Sequence, residues 1–199
     1  MLFRSVFREK NGHICAATNS AAELATGEFV ALMDNDDLLA ADALSHVVSA
    51  LQSRREADLI YSDEDKIDAA GRHYDPQFKP DWSPELLFSY NFVNHFTVLR
   101  RSLFDVVGRF RVGYEGSQDH DLLLRLTERT ERVVHIPRIL YHWRALPSST
   151  ATAAGVKSYV HTSGRKAVVE ALARRTIDVA PYVPPFAERL GLPDRKSVV

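Results

Sequence analysis

One short stretch constrains this chain more than any other. Glu28–Met33 (EFVALM) is an apolar run of the length of a buried strand, and it stops abruptly at Asp34-Asn35-Asp36-Asp37. In open α/β sheets, ligands bind beyond the carboxyl ends of the strands. Carboxylates this close repel one another and raise each other's pKa unless a cation neutralises them. Two readings fit. Either the turn is a divalent-cation site of hard oxygen ligands, suited to Mg²⁺ or Mn²⁺ with a phosphate-bearing ligand, or it is a solvated turn in which Asp37 caps the next helix.

The rest of the chain alternates strand and helix signals, which places it in the α/β class with antiparallel strands expected in the second half. Residues 19–26 predict a helix capped by Asn19 or Ser20 and stopped by Gly27. Residues 41–54 predict an amphipathic helix with Leu44, Val47, Val48 and Leu51 inward. Asp58–Tyr61 predicts a strand that ends in a second acidic run, Asp63-Glu64-Asp65, read as a solvated loop or the mouth of an acceptor site. Residues 68–84 read as irregular, 84–90 as one or two helical turns, 96–100 as a strand and 101–107 as a short helix stopped by Gly108. A helix is expected over 119–130, then short strands 133–135 and 139–143 flanking Pro137. Ala145–Gly155 reads as a loop, and 156–174 as a helix with Val156, Val160, Val168 and Leu172 inward. Residues 1–180 are expected to form the domain, with 181–199 a peripheral proline-rich tail.

Charge excludes some functions. Twenty-five basic and 26 acidic residues give a net charge of −1, so no global field draws the chain to nucleic acid. The lone Cys15 excludes an internal disulfide framework and a cysteine-rich zinc module, and fits a reducing, cytoplasmic compartment. No apolar run approaches the ~20 residues of a membrane span.

Three segments, in order, carry a family resemblance. Asn19–Asp37 (NSAAELATGEFVALMDNDD), Gly116–Arg125 (GSQDHDLLLR) and Leu140–Arg144 (LYHWR) resemble the successive motifs of the family 2 glycosyltransferases of GT-A fold. Tyr61–Asp65 (YSDED) and Phe78–Ser83 (FKPDWS) are similar to its rhamnosyltransferase-like, O-antigen branch. The resemblance covers residues 6–150 and implies a GT-A fold, a mixed sheet flanked by helices. It implies an inverting transfer of a sugar from a nucleotide-diphosphate donor, dTDP- or UDP-linked, to a saccharide or lipid-linked acceptor in surface polysaccharide or lipopolysaccharide synthesis. By the same resemblance Asp119 is the catalytic base. Asn19, Asp34 and Asp36 face the donor, and Asp36 with His142 holds Mg²⁺ or Mn²⁺. Gln118, Trp82 and Trp143 face the acceptor. Gln118 stands where the family usually has Glu.

Taken without the family, Asp119 equally suits a helix cap, and Asp121 with Arg125 a surface pair at i, i+4. The two tryptophans and Tyr141 equally suit packing. The resemblance starts mid-pattern, at Val6–Gly12, so the first two βα units of the family, about 60 residues at roughly 30 each, are expected to be missing and the chain N-terminally truncated. Two other classes stay open: a non-catalytic remnant or glycan-binding module lacking the nucleotide half, and a metal-dependent phosphohydrolase. The family's enzymes also act on lipid-linked acceptors, which implies possible peripheral association with the inner face of the cell membrane.

Overall fold

A computed structural model describes residues 4–145, 158–179, 181–182 and 197–198. The elements run α1 (His13–Glu23), β1 (Phe29–Leu32), β2 (Leu38–Leu39), α2 (Ala43–Ser53), β3 (Leu59–Ile67), β4 (His73–Gln77), α3 (Pro84–Ser89), β5 (Thr97–Arg100), α4 (Arg101–Val106), α5 (Gln118–Leu126), β6 (Val133–Arg144) and α6 (Ser158–Arg174). Two-residue strands β7 (Pro181–Tyr182) and β8 (Ser197–Val198) pair with each other.

Six strands form one mixed sheet, in the order β1-β5-β3-β6-β2, with β4 paired to β3. Only the β3–β6 pair is parallel among these ladders; the others are antiparallel. β3 is the axis of the fold. Its alternating side chains feed two cores, as strand geometry requires. Leu59 and Tyr61 join Leu99, Phe104, Leu122 and Val168 on one face. Ile60 joins Ala43, Val47, Val98 and Tyr141 on the other. Helices therefore cover both faces, as in the expected mixed sheet.

Local chemistry sets several boundaries. Ser83 accepts the Leu86 N–H at 3.2 Å, and Pro84 and Glu85 occupy the first turn of α3, all favourable at a helix start. Pro137 does not break β6. The register with β3 jumps from Ser62↔Ile136 to Asp63↔Ile139, so the residue without an N–H falls in a bulge and the strand continues.

Other expectations are corrected. The first helix starts at His13, not Asn19, because Asn19 uses its side chain elsewhere: it donates to Phe110 C=O at 2.8 Å and accepts from Phe110 N–H at 3.1 Å. α2 turns Ala43 and Val47 inward and leaves Leu44 and Val48 exposed. β4 lies within the segment read as irregular. β3 runs six residues past Tyr61, so Asp63, Glu64 and Asp65 are buried strand residues rather than a solvated loop. In α6, Val168 and Leu172 are buried as expected, whereas Val156 and the 146–157 segment lie outside the described residues. β8 lies against α3 and β7 against α6.

Candidate active site

Strand directions gather the site at one edge of the sheet. β5 is antiparallel to both β1 and β3, with Leu32 and Tyr61 each opposite Thr97. The carboxyl end of β1 and the middle of β3 therefore meet the amino end of β5, and β6, parallel to β3, brings Tyr141 in register with Glu64 just beyond. Asp34–Asp37, Glu64, His95 and Tyr141 converge.

Tyr141 shapes the acidic turn. Its hydroxyl accepts the Asp34 N–H at 3.1 Å and donates to Asp37 Oδ2 at 2.5 Å. Arg144 N–H donates to Asp37 Oδ1 at 2.7 Å, and Arg144 Nε to the Asp36 carbonyl at 2.6 Å. Asp37 is thus buried and spent on positioning; it caps no helix, since α2 starts after Asp42. The Asp34 and Asp36 residues are exposed. Burial of its inner side raises the Asp34 pKa; Asp37 and Asp36 add to the rise and His95 opposes it.

His95 stacks on Tyr141, ring centroids 4.6 Å apart, with Nε2 4.0 Å from Asp34 Oδ2. Its backbone N–H donates to Glu64 Oε2 at 3.2 Å, and its Nδ1 lies 3.4 Å from the same oxygen. The buried Lys79 ammonium donates to Glu64 Oε2 at 2.9 Å, to the Val93 carbonyl at 2.7 Å and to the His95 carbonyl. Burial disfavours a charged His95, yet Glu64, Asp119 and Asp34 outweigh it and hold the imidazole pKa above its usual value. Burial likewise would raise Glu64, but His95 and Lys79 hold it down at about 2.

Asp119 sits in the first turn of α5, half-buried. Burial pushes its carboxyl up to about 6; the Asp34 charge adds to this, while His95 and the Gln118 amide oppose it. Gln118 Nε2 donates to Asp119 Oδ2 at 2.8 Å, and its Oε1 accepts the Gly116 N–H at 2.6 Å. Two residues on, Asp121 is fully buried between Arg111 and Arg125, with Arg125 Nη2 at 2.8 Å. That pair is a buried anchor for α5, not the surface pair of the i, i+4 reading.

The candidate residues divide accordingly. Asp34 and Asp119 are brought together around His95, with Asp36 on the same turn. Asn19 ties α1 to the Phe110 backbone. Gln118 is buried and turned to Asp119. Trp143 is half-buried, 5.7 Å from His95 between ring centroids. Trp82 packs on Phe92, centroids 6.1 Å apart, beside a cleft of about 1030 Å³ that Phe88, Thr130, Leu172 and Arg175 also line. Tyr141 is fully buried and offers no face to a sugar.

His142 does not join Asp36. Two groups of three carboxylate and imidazole residues bring their ligand atoms within 4.8 Å of one another among the described residues: Asp34, Asp37 and His95, and separately Asp65, His73 and His142. Neighbours on a strand point to opposite faces, so with Tyr141 turned to Asp37, His142 turns away. The linkage of His95 and Lys79 to Glu64 was not visible in the sequence, because the partners lie 15 to 31 residues apart and no local pattern pairs them.

Comparison with known proteins follows this geometry. The Glycosyl transferase family 2 model matches residues 2–109. The chain belongs to this family. It is 47% identical over 182 residues to y4gI of Sinorhizobium fredii, covering 90% of this chain and 20% of that one. It is 39% identical over 172 residues to the O-antigen biosynthesis protein RfbC of Myxococcus xanthus, covering 86% and 14%. The chain thus spans a fifth or less of either relative. The fold is GT-A. Staphylococcus aureus TarS 1–349 in complex with UDP-GlcNAc aligns with a TM-score of 0.62 at 18% identity, covering 83% of this chain and 49% of that one. The mannosyltransferase PcManGT of Pyrobaculum calidifontis, in complex with GDP-Man and Mn²⁺, aligns at 0.53 and 17% identity, covering 96% and 50%. Family membership sets aside the phosphohydrolase reading. No helix among the described residues is long and apolar enough to cross a membrane.

Proposed function

We propose that this family 2 glycosyltransferase chain moves a sugar from a nucleotide-diphosphate donor to an acceptor hydroxyl with inversion, in surface-polysaccharide synthesis. The observation that carries the reading is Asp119: a half-buried carboxyl, pushed up to about 6, that shares its field with His95 and Asp34. A base poised near the working pH is what proton removal from a hydroxyl requires. Asp119 accepts the acceptor's proton, the freed oxygen forms its bond to the anomeric carbon, and the bond to the diphosphate oxygen breaks on the opposite side. The electron pair leaves on the diphosphate. Gln118 holds Asp119 in place from one side.

The exposed carboxylates of Asp34 and Asp36 are hard oxygen donors and fit Mg²⁺ or Mn²⁺; a cation bound there would neutralise the departing diphosphate. Asp37 and Tyr141 keep that turn in shape. A protonated His95 adds positive charge beside it. The relative named for O-antigen biosynthesis and the neighbours holding UDP-GlcNAc or GDP-Man with Mn²⁺ support a nucleotide-sugar donor. In this reading the donor is dTDP- or UDP-linked, the acceptor a saccharide or lipid-linked saccharide, and the site of action cytoplasmic. Residues 1–180 form the catalytic unit in this reading.

The test is release of nucleoside diphosphate from a panel of dTDP- and UDP-sugars with Mn²⁺, followed by product stereochemistry. Acceptor-dependent release that Asp119→Asn abolishes is expected. Retention at the anomeric carbon, or full activity in Asp119→Asn, would sink the assignment.

A further inference from the structure

Asp65, His73 and His142 meet on the sheet face opposite Tyr141. Asp65 of β3 is in register with His142 of β6, and Ile67, two residues on, with His73 of β4. Residues two apart on a strand share a face, so the pairing stacks all three side chains over one patch. His142 Nδ1 is 2.6 Å from Asp65 Oδ1, and His73 Nδ1 is 2.9 Å from Asp65 Oδ2. The imidazoles meet edge to face with centroids 4.5 Å apart. A carboxylate oxygen only accepts, so each ring presents an Nδ1–H to it. The Asp65 side chain is 9% exposed and that of His142 15%, whereas His73 is 54% exposed. The group has a buried floor and one side open to water.

We propose that Asp65, His73 and His142 form a second divalent-cation site that takes a zinc-like transition ion and is separate from the acidic turn. The donor set decides the class. Two imidazole nitrogens and one carboxylate suit Zn²⁺, whereas the oxygen-only pair Asp34 and Asp36 suits Mg²⁺ or Mn²⁺. The geometry is close to what a four-coordinate ion needs. With bonds of about 2.0–2.1 Å, tetrahedral ligand atoms lie roughly 3.3 Å apart, so the His73 contact opens by about 0.4 Å and the His142 contact by about 0.7 Å. His73 can supply its share by movement of β4, which lies off the main path of the sheet with its residues exposed, and the His142 contact opens by side-chain rotation. Each neutral ring moves its proton from Nδ1 to Nε2 through water, and the freed Nδ1 lone pair binds the ion; the fourth position is left to water. The bound ion would staple β4 to β3 and β6.

The experiment is calorimetric titration of Zn²⁺ into untagged, chelator-treated protein carrying Asp34→Asn and Asp36→Asn, which removes the competing oxygen donors. One equivalent is expected to bind, and the melting temperature to rise by several degrees at a hundredfold excess over Kd. His73→Ala changes a half-exposed ring and is expected to weaken binding at least a hundredfold with the circular dichroism spectrum unchanged. Asp65→Asn keeps the side-chain shape and is expected to do the same. Failure of the parent to bind Zn²⁺, or equal affinity in His73→Ala and Asp65→Asn, overturns the proposal and leaves the cluster a hydrogen-bonded fork. Neither result bears on sugar transfer, which is read separately with Mn²⁺.

Discussion

Two acidic runs mark this chain, Asp34-Asn35-Asp36-Asp37 after β1 and Asp63-Glu64-Asp65 within β3, and the fold treats them oppositely. Each acid of the second run has a basic partner on another strand or loop. Asp63 meets His135 at 2.8 Å, Glu64 meets Lys79 at 2.9 Å, and Asp65 meets His73 and His142. In the first run only Asp37 is buried, and a phenol and an amide N–H hold it. Asp34 and Asp36 face outward, with His95 at 4.0 Å from Asp34 the nearest basic group of the pair's described ion contacts. The contrast teaches how to separate carboxylates that build a protein from carboxylates that wait for a ligand. Builders are neutralised from within, whereas the exposed pair stores repulsion that a cation relieves.

The sharpest way to break this contrast is at the base. Asp119→Asn is expected to lower kcat by 10²- to 10⁴-fold while leaving the melting curve nearly unchanged. In the parent, kcat/KM is expected to fall as pH drops through about 6, where Asp119 takes up its proton. A pH–rate profile with no limb there would reassign the base.

Glu64→Gln tests the building half. It strands the buried Lys79 ammonium without its counter-charge and is expected to cost about 3–5 kcal/mol in a urea titration. Since Glu64 is held at about 2 in the fold, its contribution is present above its ordinary pKa near 4.5 and is lost as pH falls through about 2. A Glu64→Leu, Lys79→Met double variant that recovers most of that stability would show the pair to be structural. One that is stable yet inactive would show that the pair also positions His95.

At the exposed pair the signs reverse. Asp36→Ala is expected to cost at least a hundredfold in transfer rate, and to leave stability within about 0.5 kcal/mol of the parent or slightly above it. A large loss of stability there would erase the distinction between the two runs. The smallest effect on transfer is expected from Tyr141→Phe. Without its hydroxyl, Asp37 Oδ2 and the Asp34 N–H lose a partner, at about 1–3 kcal/mol, with a modest rise in KM for the donor as the turn loosens.

Much of this architecture was legible in the residues. The apolar run before Asp34, Ser83-Pro84 at a helix start and Gly108 after a helix are local signals, and each marks a real boundary. Asp34, Asp36 and Asp119 stood out because their surroundings repeat a family pattern. What was not legible depends on distance along the chain. Asp63–Asp65 read as a loop because nothing nearby neutralises them; Lys79, His73, His135 and His142 do so from other elements. His95 carried no signal for the same reason. Asn19 was misread as a cap, since its partner, Phe110, lies 91 residues away.

The two register shifts of β6, at Pro137 and at Leu140, together act as a phase shifter. Between Leu59↔Val133 and Asp65↔His142, β6 advances nine residues while β3 advances six. The Pro137 bulge supplies two of the three surplus residues, which keeps the inside–outside rhythm, and Leu140 supplies the odd third, so the rhythm of β6 is inverted past Leu140. That inversion delivers Tyr141 to Asp37 and sends His142 to Asp65. Without that odd residue the alternation would exchange the two, turning an imidazole to the acidic turn and a phenol to the histidine cluster, so one residue of register sets the chemistry of both faces of the sheet.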